Sequence, residues 1–225
     1  MCANFQPITQ TQASRFTNQQ LSFDFKDDIH PGYEAPLLFA NLLSNTRGDP
    51  AEWRSAMFGM ILKWAKDTSF AKHTYNARSE TVMDKPSFKR AWYNNQFALI
   101  SVQTIFEPKY IEGKAHRYGI EREDGERFTV AALDEIVKIG EQIIRSMTML
   151  TINADNHPFI SQFHKPEDEK RSIVVIEPGH RQDWLNMHHE DAFELLKPMA
   201  AGYVAEHRPK PKKTLKTAQM DVFNG

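Results

Sequence analysis

The stretch 97–106 (FALISVQTIF) limits the possible folds more than any other part of the chain. It is apolar and rich in β-branched and aromatic residues, so it reads as a strand. Residues 149–152 continue the same character, and 173–176 (IVVI) is a short buried run. Asp155, Asn156, His157 and Pro158 then mark a loop. Helical readings are fewer. Residues 86–94 begin with a proline, which a first helical turn accepts. Residues 183–196 also read as helix, with an interruption near His188 and His189 and a stop before Pro198. Leu133, Ile136, Val137, Gly140, Ile144 and Met147 fall at helical spacing, but strand formers flank them, so a strand, turn and strand is the alternative. Many short strands with few helices predict an α+β fold.

A chain of 225 residues with one cysteine cannot form an internal disulfide, and at this length a hydrophobic core suffices. No apolar run approaches the ~20 residues needed to cross a bilayer, and the polar start lacks an apolar signal core, so a cytoplasmic monomer without membrane contact is expected. The net charge of -1 gives no bulk attraction to nucleic acid, so any DNA site must be a local basic groove. Residues 207–216 (HRPKPKKTLK) are basic and proline-containing, which divides the chain into a domain over 1–206 and a tail over 207–225. No GxGxxG or GxxxxGK[ST] pattern occurs, so no cofactor is expected. His188, His189 and Glu190 lack the i, i+4 pair that puts two histidines on one helix face, so they read as a helix surface and no metal is expected.

The lone cysteine stands at position 2. Loss of Met1 would leave it with a free α-amine of pKa ~7.7–8.0, against ~10.4 for lysine, so a useful fraction is neutral near pH 7. A neutral amine attacks aldehydes. The thiol on the adjacent carbon, pKa ~8.5 when unperturbed, can then close a five-membered thiazolidine. That chemistry needs a proton-transfer partner. Glu107, read as ending the strand 97–106, and His164, in a loop beside Lys165, are the residues to weigh.

The order of several segments resembles the SOS-response-associated peptidase family. Its members start Met-Cys-Gly-Arg; here the start is Met1-Cys2-Ala3-Asn4. The strongest match is Asn76-Ala77-Arg78-Ser79-Glu80-Thr81, followed by Lys85-Pro86-Ser87-Phe88, against the family's NARSET…PxF. Residues 58–65 (FGMILKWA) resemble WGLIPxWA, and residues 101–108 keep an acid, Glu107, where the family has PADGFYEW. Thr151 to Asn156, then His164, resemble TTxAN…xxIH.

The resemblance implies an α+β domain with a curved, barrel-like antiparallel core flanked by helices, and it favours strand, turn and strand over 133–147. It implies an enzyme that binds single-stranded DNA at abasic sites and crosslinks to them through Cys2 as a thiazolidine, with lyase-like chemistry and removal of Met1 by its own active site. Such a protein would associate with the nucleoid when bound to DNA. Glu107 would manage the α-amine's proton and assist Met1 removal, His164 would protonate the sugar oxygen, and Asn76 would orient Cys2 or the lesion. Arg78 would hold a phosphate. Trp64 would stack on a base. Thr151, Lys165 and Arg171 complete the expected DNA-binding set, with Lys165 or Arg171 standing in for an arginine lost after His164. The departures are Asn4, Phe106, Pro108 and an apparent insertion over 166–170. Two other classes stay open: a cysteine peptidase acting on other peptides, and a single-stranded-DNA module without chemistry.

Overall fold

The computed structural model describes residues 2–14, 16–17, 19–40 and 51–210. Met1, and residues 211–225 of the expected tail, lie outside the described residues. In chain order the strands are β1 (Phe5–Pro7), β2 (Glu34–Phe39), β3 (Glu52–Phe58), β4 (Asn76–Arg78), β5 (Phe97–Ile111) and β6 (Lys114–Arg122). They continue as β7 (Phe128–Ile139), β8 (Gln142–Asn153), β9 (Arg171–Ile173), β10 (Val175–Ile176) and β11 (Tyr203–His207). The helices are short: α1 (Gln10–Ala13), α2 (Lys89–Tyr93) and α3 (Arg181–Asn186). The fold is thus α+β, with strands dominant.

Among the described residues the strands form one sheet, and five of them close into a ring. β5 pairs with both β2 and β7, β7 with β8, β8 with β3, and β3 with β2. The sheet is mostly antiparallel, but β3 and β4 both run parallel to β8. Turn chemistry sets the two long hairpins. β5 and β6 meet at Glu112 and Gly113, both at positive φ (50 and 75), as a two-residue primed turn requires. β7 and β8 meet across Gly140 (φ 58) and Glu141, so the helical spacing over 133–147 folds as a hairpin. At Gly59 (φ 113) a side chain is impossible, because a Cβ would sit 2.2 Å from the Ala71 carbonyl oxygen.

The continuous apolar run of β5 follows from burial on both faces. Phe97 and Leu99 pack with Trp92, Trp184, Ala131 and Leu133 in one core, whereas Ala98, Ile100 and Val102 pack with Phe5, Phe58, Val130 and Met149 in another. The Phe97 ring lies 4.7 Å from Trp184 and 5.4 Å from Trp92, and the Trp184 indole N–H donates to Ala98 O at 2.9 Å. Truncating such a buried indole to alanine costs roughly 3–5 kcal/mol.

Several expected boundaries move. β5 runs five residues beyond 106, so Glu107 lies within the strand and Pro108 is carried in it. The run 173–176 splits at Val174, with β9 pairing β8 and β10 pairing β7. The helix expected over 183–196 is α3 followed by a break and a 3-10 turn at Ala192–Leu195. His207 ends β11, which pairs with β6, and Arg208 is bound to Glu121, so ordered structure extends past the expected start of the tail.

Candidate active site

Strand register brings the N-terminus to Glu107. β1 runs antiparallel to β5 with Phe5 opposite Ile105, and Phe106 N donates to Asn4 O at 3.0 Å. The residues before Phe5 are therefore drawn along β5 toward Glu107. Cys2 is buried, and its thiol sits between two acceptors, the Asn4 carbonyl at 3.5 Å and the Glu107 carboxylate. β4, set on β8 with Asn76 opposite Met149, brings in Asn76, whose side-chain amide donates to Cys2 O at 2.7 Å. The fourth member comes from the loop after the 3-10 turn Ile160–Gln162. His164 adopts a left-handed backbone (φ 63), and its N–H donates to Pro108 O at 2.7 Å. That bond sets its Nδ1 3.6 Å from Glu107 Oε2, with both side chains 5% exposed. Four segments far apart in the chain thus place Cys2, Asn76, Glu107 and His164 together.

Burial rewrites the acidities. It pushes the Glu107 carboxyl up to about 7 and the His164 imidazole down to about 4. Burial and then the negative charge of Glu107 drive the Cys2 thiol far above its usual range. At neutral pH His164 is therefore an uncharged imidazole. Burial thus disfavours the cationic form from which His164 would protonate the sugar oxygen. Glu107 is the group poised to exchange protons near neutrality. Glu107 Oε2 and Asn76 Oδ1 are buried acceptors without a hydrogen-bond partner among the described residues, which leaves them available to an incoming group.

The expected DNA-binding residues separate into two sets. Trp64 is 63% exposed, with its ring edge-on to Phe70 at 5.0 Å, so it is a surface aromatic and not core. Lys165 is exposed. Arg78 is half-exposed and bound to Glu169 at 2.7 Å. Arg171 and Thr151 are engaged with neighbours inside the fold. The Arg171 side chain is 2% exposed, pairs with Glu80 and Glu169 at 2.8 Å each, and donates to Thr151 O at 2.7 Å. Both residues are buried, and the guanidinium is engaged by two carboxylates and a backbone carbonyl. Arg78, His164, Asp168, Glu169 and Arg171 line an open cleft of about 300 Å³.

Sequence reasoning missed two neighbours. Arg117 on β6 donates to Asn4 Oδ1 at 2.7 Å and to Asp28 at 2.8 Å, and stacks on the Phe106 ring at 3.3 Å. Asn4 is consumed by that network, which also includes its own bond to Ile29 O at 2.9 Å. Tyr75 lies close enough to Cys2 and Glu107 that, after burial, their charges help hold its phenol above the usual range. Its place directly before the Asn76 block was the one available sequence signal.

The sequence pattern of the family described as SOS response associated peptidase (SRAP) matches residues 1–210. The abasic site processing protein YoaM of Bacillus subtilis (strain 168) is 28% identical over 167 residues, covering 72% of this chain and 68% of its own length. The abasic site processing protein YoqW of the same organism is 26% identical over 171 residues, covering 73% and 70%. Among solved structures, a protein from Bordetella bronchiseptica superposes with a TM-score of 0.83 at 28% identity, over 92% of this chain and 100% of that one. A protein from Bacteroides thetaiotaomicron, at 18% identity and a TM-score of 0.75 over 93% of each chain, shares the fold.

Proposed function

Since the chain belongs to the SOS response associated peptidase family, we propose that it processes abasic sites, capturing them in single-stranded DNA as a thiazolidine on Cys2 once Met1 has been removed. The observation that carries this reading is the buried meeting of Cys2, Asn76, Glu107 and His164. The relatives named for abasic-site processing point the same way.

The chemistry follows from the aminothiol. The neutral α-amine of Cys2 adds to the C1′ aldehyde of the open sugar and water leaves, giving an imine. The thiol sulfur then adds to the imine carbon. A C–S bond forms, and the S–H proton ends on nitrogen. The thiol is held neutral by burial, so this second step needs a base. Glu107 is that base: with its acidity near neutral it takes the thiol proton and returns it to nitrogen. Asn76 holds the Cys2 carbonyl, which fixes the amine and thiol relative to Glu107. Neutral His164 orients the lesion by hydrogen bonding, without carrying charge. Glu107 also serves Met1 removal, as the base for hydrolysis of the Met1–Cys2 bond.

Recognition of the strand falls to Trp64, exposed for stacking, and to Arg78 and Lys165 for phosphates. The test is a denaturing gel of the full chain with an abasic oligonucleotide, single-stranded or fully duplex, at matched salt, alongside intact mass spectrometry. The expected result is a heat-stable adduct, formed faster on the single strand, by protein lacking Met1. Full crosslinking by protein that retains Met1 would overturn the thiazolidine. No adduct from protein lacking Met1 would leave only a DNA-binding module.

A further inference from the structure

Beyond α3 the chain does not continue as helix, and this brings consecutive side chains together. His188, His189 and Glu190 each offer a metal-ligating atom, and these atoms lie within 4.8 Å of one another. The two imidazole rings are 4.2 Å apart at their centroids, and His188 Nδ1 is 3.6 Å from Glu190 Oε2. The requirement for histidines at i and i+4 presumes a helix. In this turn, neighbours in sequence converge instead.

A second, independent feature sits behind the cluster. The Asn95 side-chain oxygen accepts the His189 backbone N–H at 2.8 Å and lies 3.1 Å from His189 Nδ1. A backbone N–H can only donate, which fixes the Asn95 oxygen rather than its nitrogen on this side. That oxygen in turn selects the tautomer with the proton on Nδ1, which leaves the lone pair of His189 on Nε2 for a metal. Asn95 is itself fixed. It follows α2 with φ 54, and its N–H donates to Trp92 O at 3.0 Å. The Tyr93 ring packs against His189 at 5.0 Å. One imidazole is thus oriented in advance by a rigid partner, as metal-bound histidines are. His188 and Glu190 are half-exposed or more and free to adjust. Zinc–nitrogen bonds of ~2.0–2.1 Å place tetrahedral ligand atoms about 3.3 Å apart, within reach of small rotamer changes at these two residues.

We propose that His188, His189 and Glu190 form a binding site for one borderline divalent cation, with Zn²⁺ the best fit, leaving the fourth position to water. The bound ion pins the turn after α3, which His189 already joins to Asn95 beyond the end of α2. This inference does not depend on the DNA chemistry.

The test is equilibrium dialysis of the full chain with zinc chloride near pH 7.5. It is run in a Cys2→Ser background, because a free aminothiol chelates zinc by itself. The expected result is one Zn²⁺ per chain. Affinity should fall at least tenfold in His188→Ala and in His189→Ala, and roughly 10–100-fold in Asn95→Ala. It should be unchanged in His180→Ala, an exposed histidine outside the cluster. Zinc should also raise the melting temperature of the background protein but not of His188→Ala, whose exposed position leaves the metal-free fold intact. No saturable binding in the Cys2→Ser background, or binding by His188→Ala or His189→Ala as tight as in that background, would overturn the site.

Discussion

Replacing Glu107 with glutamine should make the protein more stable at alkaline pH while disabling capture. An unperturbed glutamate has pKa ~4.3, whereas burial holds Glu107 at about 7. The sign follows from proton binding. Between these values the folded chain keeps the proton and the unfolded chain has lost it, so stability falls as pH rises. Below the unfolded pKa the effect is absent, and above about 7 it is complete. Integrating the two titrations gives a cost of roughly 1 kcal/mol at pH 5 and roughly 3–4 kcal/mol at pH 8. Glutamine keeps the shape but cannot ionise, so Glu107→Gln is relieved of that cost. At about 2–4 °C per kcal/mol for a chain this long, the variant should melt roughly 7–15 °C above wild type at pH 8, and only a few degrees above at pH 5. Asp134, also raised by burial, to about 6, titrates in both proteins and cancels in the difference. Urea and thermal unfolding of both proteins, each freed of Met1 beforehand, would measure the gap. The same variant should crosslink roughly 10²–10⁴-fold more slowly. A gap of equal size at pH 5 and pH 8, or a less stable variant at pH 8, would refute the buried-carboxylate reasoning.

Three further outcomes follow from the site. Cys2→Ser keeps the α-amine but has a poorer ring-closing nucleophile, so borohydride should trap an imine while the heat-stable adduct disappears; a wild-type yield without borohydride would show the thiol to be dispensable. Glu169→Gln removes the carboxylate bound to Arg78, so affinity for single-stranded abasic DNA should rise and log K should fall more steeply with log salt, by about 0.7 for one added phosphate contact. Fluorescence anisotropy across salt concentrations reads both, and an unchanged slope would exclude Arg78 as a phosphate ligand. Trp64→Ala should weaken single-strand binding by roughly 1–3 kcal/mol with no change in melting temperature, because the ring is exposed; a large drop in melting temperature would mark it as structural instead.

What the sequence disclosed depended on whether the signal was local. β5 was legible because a strand buried on both faces shows as an unbroken apolar run, whereas the hairpin of β7 and β8 was favoured only through the family resemblance, because the spacing around Gly140 and Glu141 also satisfies a helix. The segment 183–196 was legible as helix with an interruption near His188 and His189, and the chain does leave the helix there; what patterning did not show is that the second piece is only a 3-10 turn. The identities of Cys2, Asn76, Glu107 and His164 were readable from motif order, but their acidities were not. A pKa is set by what surrounds a group, and here the surroundings come from β1, β4, β5 and the loop ending at His164, which meet only after folding. Free-residue values made histidine the neutral-pH proton donor and glutamate the acceptor of the α-amine's proton. Burial moves both groups in the direction of their neutral forms, so histidine stays uncharged down to about pH 4 and glutamate titrates near 7. Arg171 shows the same dependence in reverse. As an arginine near His164 it looked free for phosphate, yet Glu80 and Glu169, distant and near in sequence, both spend their charge on it. Two cations stay at the rim, the exposed Lys165 and Arg78, and Arg78 is paired with Glu169, a residue carried by the apparent insertion after His164. On the proposed function, Glu169 between Arg78 and Arg171 would compete with a DNA phosphate for Arg78, and the salt dependence of Glu169→Gln tests whether the insertion tunes attraction for DNA in that way.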